Sequence, residues 1–90
     1  MVSLSGKIVL VSGGSRGIGA AVAKMMAKAG ANVALMYGTR KADALRTAHE
    51  VARCGGECLI VGANIARSDD VRRAVKTVLD HFGRIDVLVN

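Results

Sequence analysis

The sequence predicts a doubly wound α/β fold, a parallel sheet with helices on both faces. Three observations predict it. Short apolar, β-branched runs alternate with stretches of helical periodicity, the connections between them are short, and the first run passes through a glycine-rich turn straight into a helix. Strands buried on both faces read as unbroken apolar runs, and joining parallel strands through helices makes right-handed crossovers.

Lys7–Ser12 (KIVLVS) reads as the first buried strand, ending at Gly13–Gly14. Gly17–Ala29 reads as a helix, with Ile18, Val22, Met26 and Ala29 at helical spacing and Lys24 and Lys28 on another face. Gly30 caps it, and Asn32–Tyr37 (NVALMY) is the second strand. A weaker helix spans Lys41–Cys54, with Ala42, Leu45, Ala48 and Ala52 inward and Gly55–Gly56 at its end; Glu57–Val61 is the third strand. Ser68 is the N-cap expected for the third helix, where Asp69 and Asp70 set negative charge against the helix dipole. Val71, Ala74, Val75, Val78, Leu79 and Phe82 give that helix a continuous apolar face, and Gly83 closes it. Asp86–Asn90 (DVLVN) begins a fourth strand. Such a strand at the end of the sequence leaves an apolar edge without a successor, so residues 1–90 are expected to be the N-terminal portion of one longer domain.

The 90 residues are 51% hydrophobic, a globular composition, and hold 11 glycines and no proline. The net charge of +6 lies wholly in residues 1–42, which carry no acid; residues 43–90 balance seven basic against seven acidic side chains. A basic half can attract nucleic acid, but Tyr37 and Phe82 are the only aromatics, too few for a base-stacking platform. The apolar run Ile8–Val11 is far too short for an export signal or a membrane span, so a cytoplasmic protein with no membrane or nucleic-acid partner is expected. Cys54 and Cys58 fit a reducing compartment.

Ser12-Gly13-Gly14-Ser15-Arg16-Gly17-Ile18-Gly19 is the segment that carries chemistry. It is a tight turn whose backbone N–H groups and helix N-terminus suit a pyrophosphate. Gly13 permits the turn, Gly17 lets the backbone approach phosphate, and Gly19 lets the helix pack close to the strand. The spacing is G-x-x-x-G-x-G and lacks the Gly-Lys-Ser/Thr of a nucleoside-triphosphate loop.

These residues resemble the short-chain dehydrogenases/reductases. Ser12–Gly19 is similar to that family's Thr-Gly-x-x-x-Gly-Ile-Gly loop, Ala63-Asn64-Ile65 to its adenine-contacting segment, and Asp86–Asn90 to the opening of its Asn-Asn-Ala-Gly motif. The wording Gly-Ser-Arg-Gly-Ile-Gly is most similar to the 3-oxoacyl-[acyl-carrier-protein] reductase branch. The resemblance implies a Rossmann-type nucleotide-binding half, hydride transfer between a nicotinamide cofactor and a carbonyl or alcohol (an acyl thioester among the candidates), and a homo-oligomeric whole protein, dimer or tetramer. It also implies that the family's catalytic Tyr, Lys, Ser and Asn lie beyond residue 90, so these 90 residues alone are expected to show no turnover. Asn64 stands where many members carry Asp; its amide keeps an acceptor for the adenine amino group. A non-catalytic NADP-binding module is the alternative reading.

Dinucleotide folds that select NAD place a carboxylate at the end of strand two, about 20 residues past the glycines, to bind the ribose hydroxyls. Here that position is Tyr37, and the first acid in the chain is Asp43 in the next helix. NADP(H) is therefore the expected cofactor, with Arg16 and Arg40 flanking its 2′-phosphate and Gly38 and Thr39 adding hydrogen bonds. The cofactor-binding set is Gly13 to Gly19, Tyr37 to Arg40, Ala63 to Ile65, and Asn90.

Other signals carry less. Tyr37 and Lys41 match the family's Tyr-x-x-x-Lys spacing, but that pair needs a helix to put both groups on one face, and Tyr37 ends a strand. Cys54 and Cys58 lack metal or redox spacing and read as small buried side chains. His49 and His81 read as surface residues, Met25–Met26 as packing, and Arg72, Arg73 and Lys76 as a solvated face.

Overall fold

The structure, a computed structural model, describes residues 3–13 and 17–90. The elements follow in the expected order: β1 (Ile8–Ser12), α1 (Gly17–Lys28), β2 (Asn32–Tyr37), α2 (Lys41–Arg53), β3 (Cys58–Gly62), α3 (Ser68–Phe82) and β4 (Val87–Val89). All strand pairs are parallel and the sheet order is β3-β2-β1-β4, a Rossmann-type arrangement.

Alternation along each strand splits the core into two layers. Val9, Val11, Val33 and Leu35 face α1 and α2, where they meet Ala23, Ala27 and Val51. Leu10, Ala34 and Met36 face the other way and meet Ala74 and Val78 of α3. Burying each Val or Leu is worth about 1.5–3 kcal/mol, so the central strands, which supply both layers, hold most of this stabilisation. β3, an edge, is half-buried along its length, and β4, the other edge, is half-buried except for exposed Leu88.

Four helical details depart from the sequence reading. In α1 the buried positions are Ala20, Ala23 and Ala27, while Ile18 is 84% exposed and Val22 and Met26 are half-buried. The fully buried side chains of α1 are no larger than a methyl group; of the methionine pair, Met26 packs half-buried against this layer while Met25 is exposed. In α2 the buried set is Ala44, Thr47 and Val51; Ala42, Leu45 and Ala52 are exposed and Ala48 is half-buried. That helix is turned toward α1, to which Glu50 ties it through Lys24 at 2.7 Å. Ser68 is the first residue of α3 and not its cap: Arg67 holds the cap position, without a side-chain cap hydrogen bond. Leu79, expected on the apolar face of α3, is 40% exposed.

Two contacts fix how the chain closes. Gly56, between α2 and β3, passes so near the α1–β2 connection that a Cβ there would lie 2.5 Å from the Ala31 carbonyl oxygen. At the start of β4, the Asp86 carboxylate accepts from the Ile8 backbone N–H at 2.8 Å and from Arg84 Nε at 2.9 Å, while Arg84 also donates to the Gly6 carbonyl at 2.7 Å. The Ile8 N–H, and after it Arg84, hold the Asp86 carboxyl below its ordinary value. This joins the beginnings of β1 and β4, far apart in sequence.

Two outcomes are expected. Gly56→Ala forces a backbone shift and should cost about 1–3 kcal/mol of stability, read by urea unfolding; an unchanged midpoint would contradict the close approach. Because the Asp86 carboxyl is lowered in the folded state, its contribution is fully present above the ordinary carboxylate pKa of about 3.9 and is lost as pH falls through the lowered value. Asp86→Asn should therefore lose stability at neutral pH and show a shallower decline on acidification than the parent, measured as thermal midpoint against pH.

Candidate functional site

β1 is the strand at which the sheet reverses. From β1 the chain crosses through α1 to β2 on one side, and from β3 it returns through α3 to β4 on the other. The carboxyl end of β1 is therefore the switch point of the sheet, the place where open α/β sheets take their ligands.

A cavity of about 360 Å³ lies there, lined by Gly13 after β1, by Met36, Gly38 and Thr39 around the end of β2, and by Ala63, Asn64 and Ile65 after β3. Among the described residues its lining holds no carboxylate. A second cavity of about 360 Å³, mainly apolar, lies beside it between α3 and β4; Met36 and Ile65 border both, and Ser12, Leu88 and Asn90 reach only this one. Met36 was not singled out from sequence, although its place on the α3 face of β2, one residue before the strand ends, marks it as a floor for any ligand at this edge.

The glycine turn has the backbone its sequence requires. Gly13 has φ +69 and donates its N–H to the Met36 carbonyl at 2.9 Å, and Gly17, the first residue of α1, has φ +65. At neither position would a Cβ meet an atom of the described residues within 4 Å, so those residues leave the space in front of both open. Open space before the amides that begin a helix suits a phosphate group. Gly14, Ser15 and Arg16 lie outside the described residues. Ile18 is exposed and Gly19 half-buried.

Around β2, the Tyr37 ring lies over Gly62, where a Cβ would come within 3.1 Å of the ring carbon Cζ and of Oη. The ring thus rests on the neighbouring strand and does not line the cavity, and the backbone carbonyl of Tyr37 accepts from Ala63 N at 2.8 Å. Gly38 and Thr39 are exposed at the cavity rim. Arg40 caps α2 and lies 3.4 Å from Asp43, which also holds Arg46 at 3.0 Å. The sequence placed Asp43 in the helix and attached no role to it; its spacing of three from both arginines was the available signal.

After β3, the Asn64 N–H donates to Asp70 at 2.8 Å, and its side-chain oxygen accepts from Ala66 N at 3.0 Å. One lone pair expected for adenine is thus spent on the loop's own turn, which leaves that oxygen one further acceptor site. The Asn64 N–H, and to a lesser extent Arg73, hold the Asp70 carboxyl below its ordinary value. Asp70 is therefore the anchor of this loop as well as a charge at the start of α3. At the reversal itself, the Ser12 hydroxyl lies 3.3 Å from Asn90 Oδ1 and donates toward it, bringing the ends of β1 and β4 together.

The discounted signals resolve individually. Tyr37 ends β2 and Lys41 begins α2, so they share no helix face. Cys54 and Cys58 are free, half-buried and packed against the α1–α2 layer, and burial pushes the Cys58 thiol up to about 11. His49 is exposed, and His81, also exposed, faces Glu57 at 2.6 Å. Arg72, Arg73 and Lys76 are exposed; Arg73 pairs with Asp70 and Lys76 with Asp80. Among the described residues no group of three or more His, Cys, Asp or Glu is placed to hold a metal ion, and no helix is long and apolar enough to cross a membrane.

Comparison with known proteins agrees with this geometry. A 3-oxoacyl-[acyl-carrier-protein] reductase of Synechocystis sp. is 43% identical over all 90 residues, a match spanning 36% of that protein. A dehydrogenase/reductase of Sinorhizobium meliloti superposes with a TM-score of 0.95 at 39% identity, over 98% of this chain and 35% of its own. A short chain dehydrogenase of Burkholderia cenocepacia, solved in complex with NADP, superposes with a TM-score of 0.92 at 42% identity, over 97% of this chain and 36% of its own. The chain spans about a third of the length of these relatives. Residues 7–90 match the short chain dehydrogenase family, and the chain belongs to that family.

Proposed function

We propose that residues 1–90 are the NADP(H)-binding portion of a single Rossmann-type domain, in a protein that transfers hydride between NADPH and a carbonyl or alcohol. The observation that carries the reading is the cavity at the carboxyl ends of β1, β2 and β3, bordered by Gly13 and, among the described residues, free of carboxylates. The Burkholderia cenocepacia relative that holds NADP, similar over nearly the whole chain, supports it.

In this reading the N–H groups at the start of α1, with Gly13 and Gly17 leaving room, receive the diphosphate. Gly14, Ser15, Ile18 and Gly19 belong to the same proposed diphosphate-binding set. Ala63, Asn64 and Ile65 border the adenine, Tyr37 closes the outer end of the strand through its backbone, and Asn90 lies toward the nicotinamide side. Gly38, Thr39, Arg40 and Arg16 take the 2′-phosphate, for which a planar guanidinium fork is well matched. When bound, the nicotinamide dinucleotide supplies or accepts the hydride. This chain's residues orient it, and the proton donor is provided by family residues outside these 90. The similarity to a 3-oxoacyl-[acyl-carrier-protein] reductase supports an acyl thioester as the carbonyl substrate.

The intact protein is expected to bind NADPH roughly tenfold or more tighter than NADH, a difference of about 1.4 kcal/mol or more, and to lose that preference when Arg16 and Arg40 are both changed to Ala. Equal affinities in a calorimetric titration would reject the cofactor assignment. Gly38 gives a cleaner probe, because its φ is not left-handed and a Cβ there meets nothing within 4 Å. Gly38→Asp should leave the thermal midpoint near that of the parent while weakening NADPH about tenfold or more through repulsion of the added phosphate. A variant that still prefers NADPH as strongly as the parent would place the 2′-phosphate elsewhere.

A further inference from the structure

We infer that Asp43 sets how strongly this protein discriminates between NADPH and NADH, by competing with the 2′-phosphate for Arg40. The inference rests on the reading of the cavity as an NADP(H) site.

The Asp43 carboxylate bridges two guanidinium groups, with Oδ2 at 3.4 Å from Arg40 Nη1 and Oδ1 at 3.0 Å from Arg46 Nη2. The acid is the settled partner: its side chain is 19% exposed, against 53% for Arg40 and 68% for Arg46. Arg40 directly follows Gly38 and Thr39, which line the cavity, so its guanidinium is the nearest described cation in sequence to that rim. Its Nε and Nη2 make no hydrogen bond among the described residues.

An arginine grips phosphate best through two parallel N–H groups. With Nη1 directed at Asp43, Arg40 has part of its fork already engaged and half of its charge complement met. A phosphate must therefore draw Arg40 from the carboxylate or share it. The 3.4 Å separation is long beside the roughly 2.7–2.9 Å of a close charged hydrogen bond, so the hold is loose enough to exchange. Arg46 makes that exchange affordable, because Asp43 keeps the shorter of its two ion pairs when Arg40 leaves. The cluster of two arginines and one aspartate presents a net charge of one instead of two. A ribose bearing a hydroxyl in place of the phosphate makes no claim on Arg40 and is indifferent to the competition.

The test is calorimetric titration of the intact protein with NADPH and with NADH, for the parent, Asp43→Asn, Arg40→Ala and the double variant. Asp43→Asn should tighten NADPH about threefold or more, in the range of a single exposed charge pair or slightly above it, and leave NADH within about twofold. In the Arg40→Ala background the same change should bring no gain. Asp43→Ser, which also removes the charge and suits the first turn of a helix, should repeat the result if the Asn variant folds poorly. Unchanged or weaker NADPH binding in both Asp43 variants overturns the inference, as does a gain that persists without Arg40. A parent that binds both dinucleotides equally overturns the NADP(H) reading and this inference with it; a parent that prefers NADPH while the Asp43 variants are silent overturns the inference alone.

Discussion

The reversal of the sheet at β1 is the constraint from which the site follows. β1 is hydrogen-bonded to β2 on one side and to β4 on the other, and the helices that lead to those two neighbours lie on opposite faces. A crevice at its carboxyl end is a geometric result of that reversal, whatever residues occupy it. What this sequence adds is a glycine with left-handed φ, Gly13, directly after β1, and a hydroxyl, on Ser12, that reaches across to Asn90 at the end of β4. At the opposite end of the same two strands, Asp86 and Arg84 perform the matching task for the backbone of Gly6 and Ile8. β1 and β4 are thus tied at both ends.

How legible this was from sequence depended on the type of signal. Strand positions, order and parallel direction were legible because a strand buried on two faces has few alternatives to a continuous apolar run, as in β1 and β2. Helix existence was legible too, but the buried face of α1 was not. A search for large apolar residues at helical spacing finds Ile18, Val22 and Met26, whereas contact with the sheet is made by Ala20, Ala23 and Ala27. Alanine is selected there by the separation between helix and sheet, which is a tertiary distance that no local pattern encodes. α2 misled in a related way, since its buried positions, Ala44, Thr47 and Val51, are chosen by what it packs against and not by its own apolar spacing.

The site divides along the same line. The glycine turn was legible because a left-handed φ at Gly13 and Gly17 constrains residue type at the position itself. The supporting contacts were not, because each joins groups whose meeting depends on loop shape. Asp70 reads as a favourable charge at a helix start until the Asn64 N–H is found on it. Tyr37 reads as the residue at the ribose-binding position, and where its ring goes, onto Gly62, is not visible in the pattern. Asn64 keeps its expected place but spends one lone pair on Ala66, so the loop's own order and its capacity for a ligand draw on the same oxygen.

The position of Tyr37 has an optical consequence. It is the only tyrosine in these 90 residues, which contain no tryptophan. Near-ultraviolet emission from this portion of the protein therefore originates almost entirely from one phenol, set at the end of β2 beside Gly38 and resting on the bare backbone of Gly62. The fold has in effect placed a single chromophore next to the crevice, with no indole among these residues to mask its signal.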